Sequence, residues 1–491
     1  VSERPDYRGS RPAVSANPSP GRSFRPLEIA VLVHVGVLLL LASWAFGGAA
    51  DWARRLISAW GSLGLVITVA ALRSRVVQRV DLRSPLLWLA PFAAFNALVL
   101  LSCLNPSFSA HLFAGQSLLA HTGAAHPGLP STAHVGTSLE HLWLFDAIYL
   151  SCFNLALAIR RRRALRLLLL VAVGNTALLA VFGTFQKLTS DGLYFGLVPA
   201  PNPRFFATFV YANHWAAYSV MIVAACLGLL FRSARSIPGD AISRSPLTMG
   251  IIALILISMT PLLAGSRAGT LLVLVLLAAG LIHVLLHLRR ARRQAGVSVA
   301  LPLGGLVLGV VLTAGGAAYL ARDAINERWQ DTQGQWRAGL FDERVRLYSD
   351  TWQLAEEQPV FGWGLGSFDK ILQLIRPRPL EANRQYEHSY VDAHSDWLQS
   401  LAEVGWVGTL LVGLCGLLPL LSLRRAQLTS PLPGYLLAGC GLVLLYAAVE
   451  FPFGNPAVVI VFWLCFFCAV QHCRLQSSHH GAARPGPPAV P

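Results

Sequence analysis

At 491 residues, with 54% hydrophobic and 13% charged, the chain is far poorer in charge than a soluble domain, where about 25% is usual. Its net charge of +15 comes from bases scattered over separate turns, which argues against a nucleic-acid surface and for a topology signal. A soluble globular protein is excluded, and an integral membrane protein is expected.

A spanning helix needs about 20 mostly apolar residues. Twelve stretches qualify, at about 27–47, 55–72, 85–104, 141–159, 165–186, 208–231, 247–264, 268–287, 299–321, 403–423, 433–450 and 456–473. Runs this long and without alternation are helical rather than barrel strands. The expected fold class is an all-α integral membrane protein with about 12 transmembrane helices and one large outer loop between helices 9 and 10. Residues 1–26, rich in Pro, Ser and Arg, and 474–491, rich in Gly, Pro and Ala, read as disordered tails. Between them, 27–321 carry helices 1–9, 322–402 the long loop, and 403–473 helices 10–12. The first run is long enough to span and lacks a clear small-residue cleavage site, so it reads as a span and not a signal peptide.

Basic residues mark every second connection: the N-terminal Arg4 to Arg25; Arg73 to Arg83; Arg160 to Arg163; Arg232 to Arg244; Arg289 to Arg293; Arg424 and Arg425. By the positive-inside rule both termini are cytoplasmic. Arg54 and Arg55 are exceptions on an outer connection. All eight cysteines fall in or beside apolar segments, which suits small core residues and not an outer disulfide framework.

Three connections share the outer side. The first, about 187–207, contains Arg204 in a Pro-rich turn and leads through Ala207-Thr208-Phe209 to Asn213 and His214. The second is the hairpin Gly265-Ser266-Arg267-Ala268-Gly269. A charge wedged between two spans is costly and usually faces a cavity or a partner, although an arginine at a hairpin tip also simply snorkels. The third is the long loop. Asp342 to about Glu357 predicts an amphipathic helix carrying Arg344, with Val345, Tyr348, Trp352 and Ala355 as its packed face. Pro359 ends it, and Gly362, Gly364 and Gly366 predict a flexible turn. No Lys-Ser/Thr pair follows these glycines, so a nucleotide loop is rejected. The loop closes on His394, flanked by Asp392 and Asp396. On spacing alone such a histidine is more often a surface or capping residue than a catalyst. His214, His388 and His394 give no i, i+4 ligand pair, so no metal is expected. Tyr390, Asp392 and Trp363 are possible sugar contacts.

His394-Ser395, nine residues, then Gly405-x2-Gly408-Thr409 resembles the signature of the O-antigen ligase and O-antigen polymerase superfamily of bacterial membrane glycosyltransferases. Ala207-Thr208-Phe209 through Asn213, Ala216 and Ala217 resembles that family's helix start. Ser266-Arg267-Ala268-Gly269 resembles its Ser-Arg hairpin, and Arg344 through Gly362-Trp363-Gly364 to Phe368 its arginine helix and glycine turn. The ordered set spans roughly 165–450. Val412 stands where Tyr is common and Ala212 where Pro is common, departures that bear on ligase against polymerase.

The resemblance implies inverting glycan transfer on the periplasmic face of the bacterial inner membrane. The donor would be a polyprenyl (undecaprenyl) diphosphate glycan, and the acceptor a hydroxyl of lipid A core or another glycan or protein, with membrane lipid around the chain and no cofactor. His394 is the expected base and Arg267 the second catalytic residue. Arg204, Arg267 and Arg344 are expected to bind the diphosphate, and Asn213, Ser266, Gly364, Ser395, Gly405 and Gly408 to shape the site. A polymerase or a protein O-oligosaccharyltransferase of the same superfamily remains open, as does a lipid-linked glycan transporter, for which two related halves would be expected.

Overall fold

The computed structural model describes residues 24–78, 83–113, 116–190, 192–200, 202, 205–234, 246–295, 315, 334, 340–375, 390–423 and 430–481. These contain thirteen α-helices: α1 (Pro26–Trp44), α2 (Asp51–Val77), α3 (Arg83–Cys103), α4 (Val135–Ala158), α5 (Arg162–Thr189), α6 (Ala212–Ala234), α7 (Pro246–Leu263), α8 (Arg267–Ala295), α9 (Leu340–Glu357), α10 (Phe368–Ile375), α11 (Asp396–Leu421), α12 (Pro431–Tyr446) and α13 (Pro456–Gly481). Two small antiparallel hairpins accompany them, β1 (Phe108–Phe113) with β2 (Gln116–His121) and β3 (Leu193–Tyr194) with β4 (Val198–Pro199). Nine of the helices are long and apolar enough to cross a membrane, and α7 and α12 are shorter apolar helices. They coincide with eleven of the twelve runs read from the sequence. The run at 299–321 lies outside the described residues except for Gly315, as do Arg204 and His388.

Burial sorts the helices into a centre and a rim. In α13, 94% of the apolar window is buried, against 22% in α8. The centre is built from aromatic and small residues of α4, α6 and α13, such as Tyr149, Phe153, Tyr218 and Phe467. The rim turns Leu271, Leu274 and Ile282 outward, as a lipid-facing surface requires. Several polar groups inside are paired across helices: Thr68 Oγ1 donates to Asn154 Oδ1 at 3.0 Å, and Trp44 Nε1 to Asn175 Oδ1 at 2.8 Å. Seven of the eight cysteines are buried, and all are free thiols.

One end of the bundle gathers the starts of α6, α8, α11 and α13 and the end of α12. Gly269 of α8 sits against Ala216 of α6, where a Cβ would have no room. Past α12, Phe453 N donates to Asp396 Oδ2 at the start of α11, at 2.9 Å. Over this end lies a second, smaller core of Phe108, Leu347, Leu354, Trp363, Phe368 and Ala402 with their neighbours.

Four local expectations change. The buried face of α9 is Leu347, Thr351, Leu354 and Ala355, while Val345 and Trp352 are exposed. The true stripe is rotated from the one read off the aromatics because the helix packs on the start of α11 and the small core around Trp363 that they share. The glycine turn is not loose: Trp363 N donates to Ala402 O at 2.9 Å and Gly364 N to Glu403 O at 2.7 Å. Residues 205–211 are a turn ahead of α6, with Ala207 at φ +50° and Thr208 Oγ1 donating to Ser43 O at 2.5 Å. Finally, α13 continues past the expected last span to Gly481.

Candidate active site

His394 is set by its backbone. Its φ of +51° places a non-glycine residue in the left-handed region, a conformation that costs roughly 1–2 kcal/mol per residue. Ser395 then returns to extended backbone and caps α11, its Oγ accepting from Leu398 N at 3.4 Å. The sharp turn puts the imidazole edge-on to Phe451, with ring centroids 4.8 Å apart. From α9, the Tyr348 hydroxyl reaches His394 O at 3.1 Å and Val449 O at 3.3 Å, tying the turn to the segment after α12. The start of α11 is fixed too, with Asp396 N donating to Ala447 O at 2.9 Å.

That segment carries Glu450, on which three of the elements converge. Its Oε1 accepts from Arg344 Nη2 at 3.3 Å, and its Oε2 lies 3.7 Å from His394 Nδ1 and 3.5 Å from the Tyr211 hydroxyl. Tyr211 in turn accepts from Asn213 Nδ2 at 2.9 Å. The separation from His394 is an ion-pair distance, too long for a hydrogen bond, and Nδ1 is buried with no hydrogen-bond partner among the described residues. Burial works against the Arg344 charge more than any single neighbour favours it, but Glu450, Tyr211 and Tyr348 together outweigh burial and hold the guanidinium above its ordinary pKa. With 47% of its side chain exposed, Arg344 keeps donors for a second anion. Close by, His214 Nε2 donates to Phe451 O at 3.1 Å, and burial raises the pKa of Asp392, opposed by His394 and Arg54.

Ser266 and Arg267 open α8. Ser266 is buried and its Oγ accepts from Gly269 N at 3.3 Å, while Arg267 is exposed at the helix's first position. The packing of Gly269 on Ala216 brings this hairpin beside the first turn of α6, where Asn213 sits.

The glycines of the motif place the roof. Gly405 interrupts α11 at φ +62°, ψ −171°, a region essentially reserved for glycine. The freed amides of Trp406 and Val407 donate to Pro359 O at 2.9 Å and Val360 O at 3.1 Å. A Cβ at Gly405 would run into the Val360 carbonyl, and one at Gly364 into Thr132. Gly408 lies against Leu98 of α3, 3.3 Å from where its Cβ would be. Beneath the turn the buried Glu403 carboxylate accepts from Gly366 N at 2.7 Å and Phe368 N at 3.2 Å. Trp363 is 4% exposed and gives its indole N–H to Leu354 O at 2.8 Å, so it builds the small core and offers no face to a sugar.

His394 and Arg344 thus meet at Glu450, Asn213 reaches it only through Tyr211, Ser266 and Arg267 stand at the same end, and Ser395, Gly364, Gly405 and Gly408 hold the surrounding backbone. Sequence reading missed Glu450, although it is the single acid after Glu403 and ends an apolar run, a signal for function in its own right. It also missed Tyr211 and Glu403, and it took Arg54 as an exception to topology, whereas Arg54 acts on both Asp392 and His214.

No curated protein matches the chain. A family model described as O-Antigen ligase matches residues 252–413, from within α7 to within α11. That stretch holds Ser266, Arg267, Arg344, the glycine turn and the His394 capping turn, while Glu450 and Tyr211 meet them from outside it. This multi-pass membrane protein therefore carries an O-antigen ligase family domain over residues 252–413.

Proposed function

We propose that the protein is an O-antigen ligase-like inverting glycosyltransferase that moves a glycan from a polyprenyl diphosphate to an acceptor hydroxyl such as that of lipid A core. The observation that carries this reading is Glu450 between His394 and Arg344. With its Nδ1–H turned to Glu450, His394 offers the Nε2 lone pair as a base. The acceptor oxygen attacks the sugar C1 opposite the diphosphate and its proton passes to Nε2. The C1–O bond breaks with its electron pair leaving on the diphosphate, and the imidazolium is stabilised by Glu450. Arg344 and Arg267, with Arg204, receive the diphosphate charge through charge-assisted hydrogen bonds, a role that needs no metal.

Orientation rests on the Lys/Arg pattern. The basic turns at 160–163 and 232 lie at the bundle end away from His394, which supports a periplasmic mouth and cytoplasmic termini in a bacterial inner membrane.

The test is reconstitution of purified protein with a polyprenyl-diphosphate glycan and lipid A core, with chelator present. Transfer to the core, lost about 10²–10⁴-fold in His394→Ala while membrane insertion persists, is the expected outcome. Donor glycans that lengthen on their own lipid would instead make the protein a polymerase, and undiminished transfer by His394→Ala would remove the histidine from the chemistry.

A further inference from the structure

The bundle end opposite His394 holds a cluster that glycan transfer does not use. α6 starts next to Tyr211 and ends at Ala234. Twenty residues of helix span about 30 Å, so Arg232 in its last turn lies at the far end. Arg162 and Arg166, in the opening turns of α5, and His472 of α13 join it there. Arg162 acts electrostatically on Arg232, Arg166 on Arg162, and all three arginines on His472.

Among the described residues the cluster is short of acceptors. His472 is 1% exposed, and neither of its ring nitrogens has a hydrogen-bond partner among the described residues. The Nε of Arg162, of Arg166 and of Arg232 is buried and equally without one, although Arg162 Nη2 does reach Leu475 O at 2.7 Å. Among the described residues no carboxylate acts on any of the three arginines. The nearby acid, Glu28, is engaged elsewhere, accepting from Arg160 N at 2.8 Å and pairing with Arg161 Nε at 4.0 Å.

A buried donor left unmet forfeits its hydration without recompense, so four such side chains converging ask for a common acceptor. Guanidinium forks match phosphate oxygens, often two at a time. His472 supplies one further ring N–H, and the α5 N-terminus adds the positive end of its dipole. We propose that Arg162, Arg166, Arg232 and His472 form a phosphate-binding site on the face opposite the transfer site. The phosphate belongs either to an anionic phospholipid headgroup or to a soluble phosphate on that side of the membrane.

The experiment uses the full chain in detergent, read by native mass spectrometry and thermal unfolding. The probes are dioctanoyl phosphatidylglycerol, dioctanoyl phosphatidylcholine and inorganic phosphate. Phosphatidylglycerol should bind and raise the midpoint, with affinity at least about 10-fold lower in Arg166→Gln/Arg232→Gln, since 1.4 kcal/mol is tenfold. The Arg166→Lys/Arg232→Lys pair, which keeps the charge, should retain part of the binding and controls for folding. Stabilisation by inorganic phosphate alone, lost in the same Gln pair, would support the site with a soluble occupant. Equal binding of phosphatidylglycerol by wild type and Gln pair overturns the proposal.

Discussion

The two ends of this bundle treat positive charge in opposite ways. At the mouth, Arg344 and His394 are set against Glu450, and the carboxylate is further tied to Tyr211. At the far end, Arg162, Arg166 and Arg232 crowd around a buried histidine, and among the described residues no carboxylate acts on them, the nearby Glu28 being engaged by Arg160 and Arg161. A compensated cluster is organised before substrate arrives, because its dipoles and charges already point at one another and need not reorganise during reaction. An uncompensated one is organised for an ion that comes from outside. Local basic density alone would rank the far end higher as a site for chemistry. The difference lies in the one acid, which makes Glu450 the residue on which to test the mouth.

The largest effect is expected there. Glu450→Gln keeps the shape and removes the charge, so His394 loses the group that stabilises its protonated form. We expect kcat to fall about 10²-fold, within the span typical of acid–base groups, with KM changed far less. The fold should survive because Arg344 is half exposed and can rehydrate. A loss confined to KM would make Glu450 a binding group only and dissolve the contrast between the ends. Arg344→Ala comes next. It removes both a partner of Glu450 and a diphosphate contact, and a loss of about 10-fold to 10²-fold in kcat/KM is expected, below the roughly 10²–10³ of a fully buried electrostatic donor because Arg344 is half exposed. Combined with Glu450→Gln, the two losses should fall short of their product, because residues in one network couple by about 0.5–3 kcal/mol. Fully multiplicative losses would mean that the two act separately.

The spans were legible because long apolar runs carry their own signal, and eleven of them reappear as helices. The ordered motif also picked out His394 and Arg344, which both face Glu450, and Asn213, which touches it only through Tyr211. What it could not convey is the centre on which they meet. Glu450 comes into contact with Arg344 and Tyr211 only through folding, at sequence separations of 106 and 239 residues. The α9 stripe was misread for a related reason: Val345 and Trp352 are hydrophobic, but the surface that α9 covers belongs to the small core around Trp363. Periodicity shows that a helix has a face, and only the packing partner decides which one.

Gly405 tests the roof over the mouth. Gly405→Ala would place a side chain in a backbone region that costs of order 1–3 kcal/mol and push it into the Val360 carbonyl. A lowered unfolding midpoint with partial activity is expected, while phosphatidylglycerol binding at the far end should be untouched. Loss of that binding as well would show that the two ends are not independent.

Tyr348→Phe is the finest probe, because it alters no charge. The hydroxyl shares one proton between His394 O and Val449 O, and a neutral hydrogen bond contributes about 0.5–1.5 kcal/mol net. Its removal loosens the left-handed turn that aims the imidazole but leaves the Glu450 pairings in place. Activity should therefore fall less than about 10-fold, the equivalent of 1.36 kcal/mol in a barrier, with the unfolding midpoint nearly unchanged. If Tyr348→Phe instead cost as much as Glu450→Gln, the backbone turn and not the carboxylate would govern the histidine. The mouth would then owe its function to geometry, and charge compensation would no longer be what separates it from the far end.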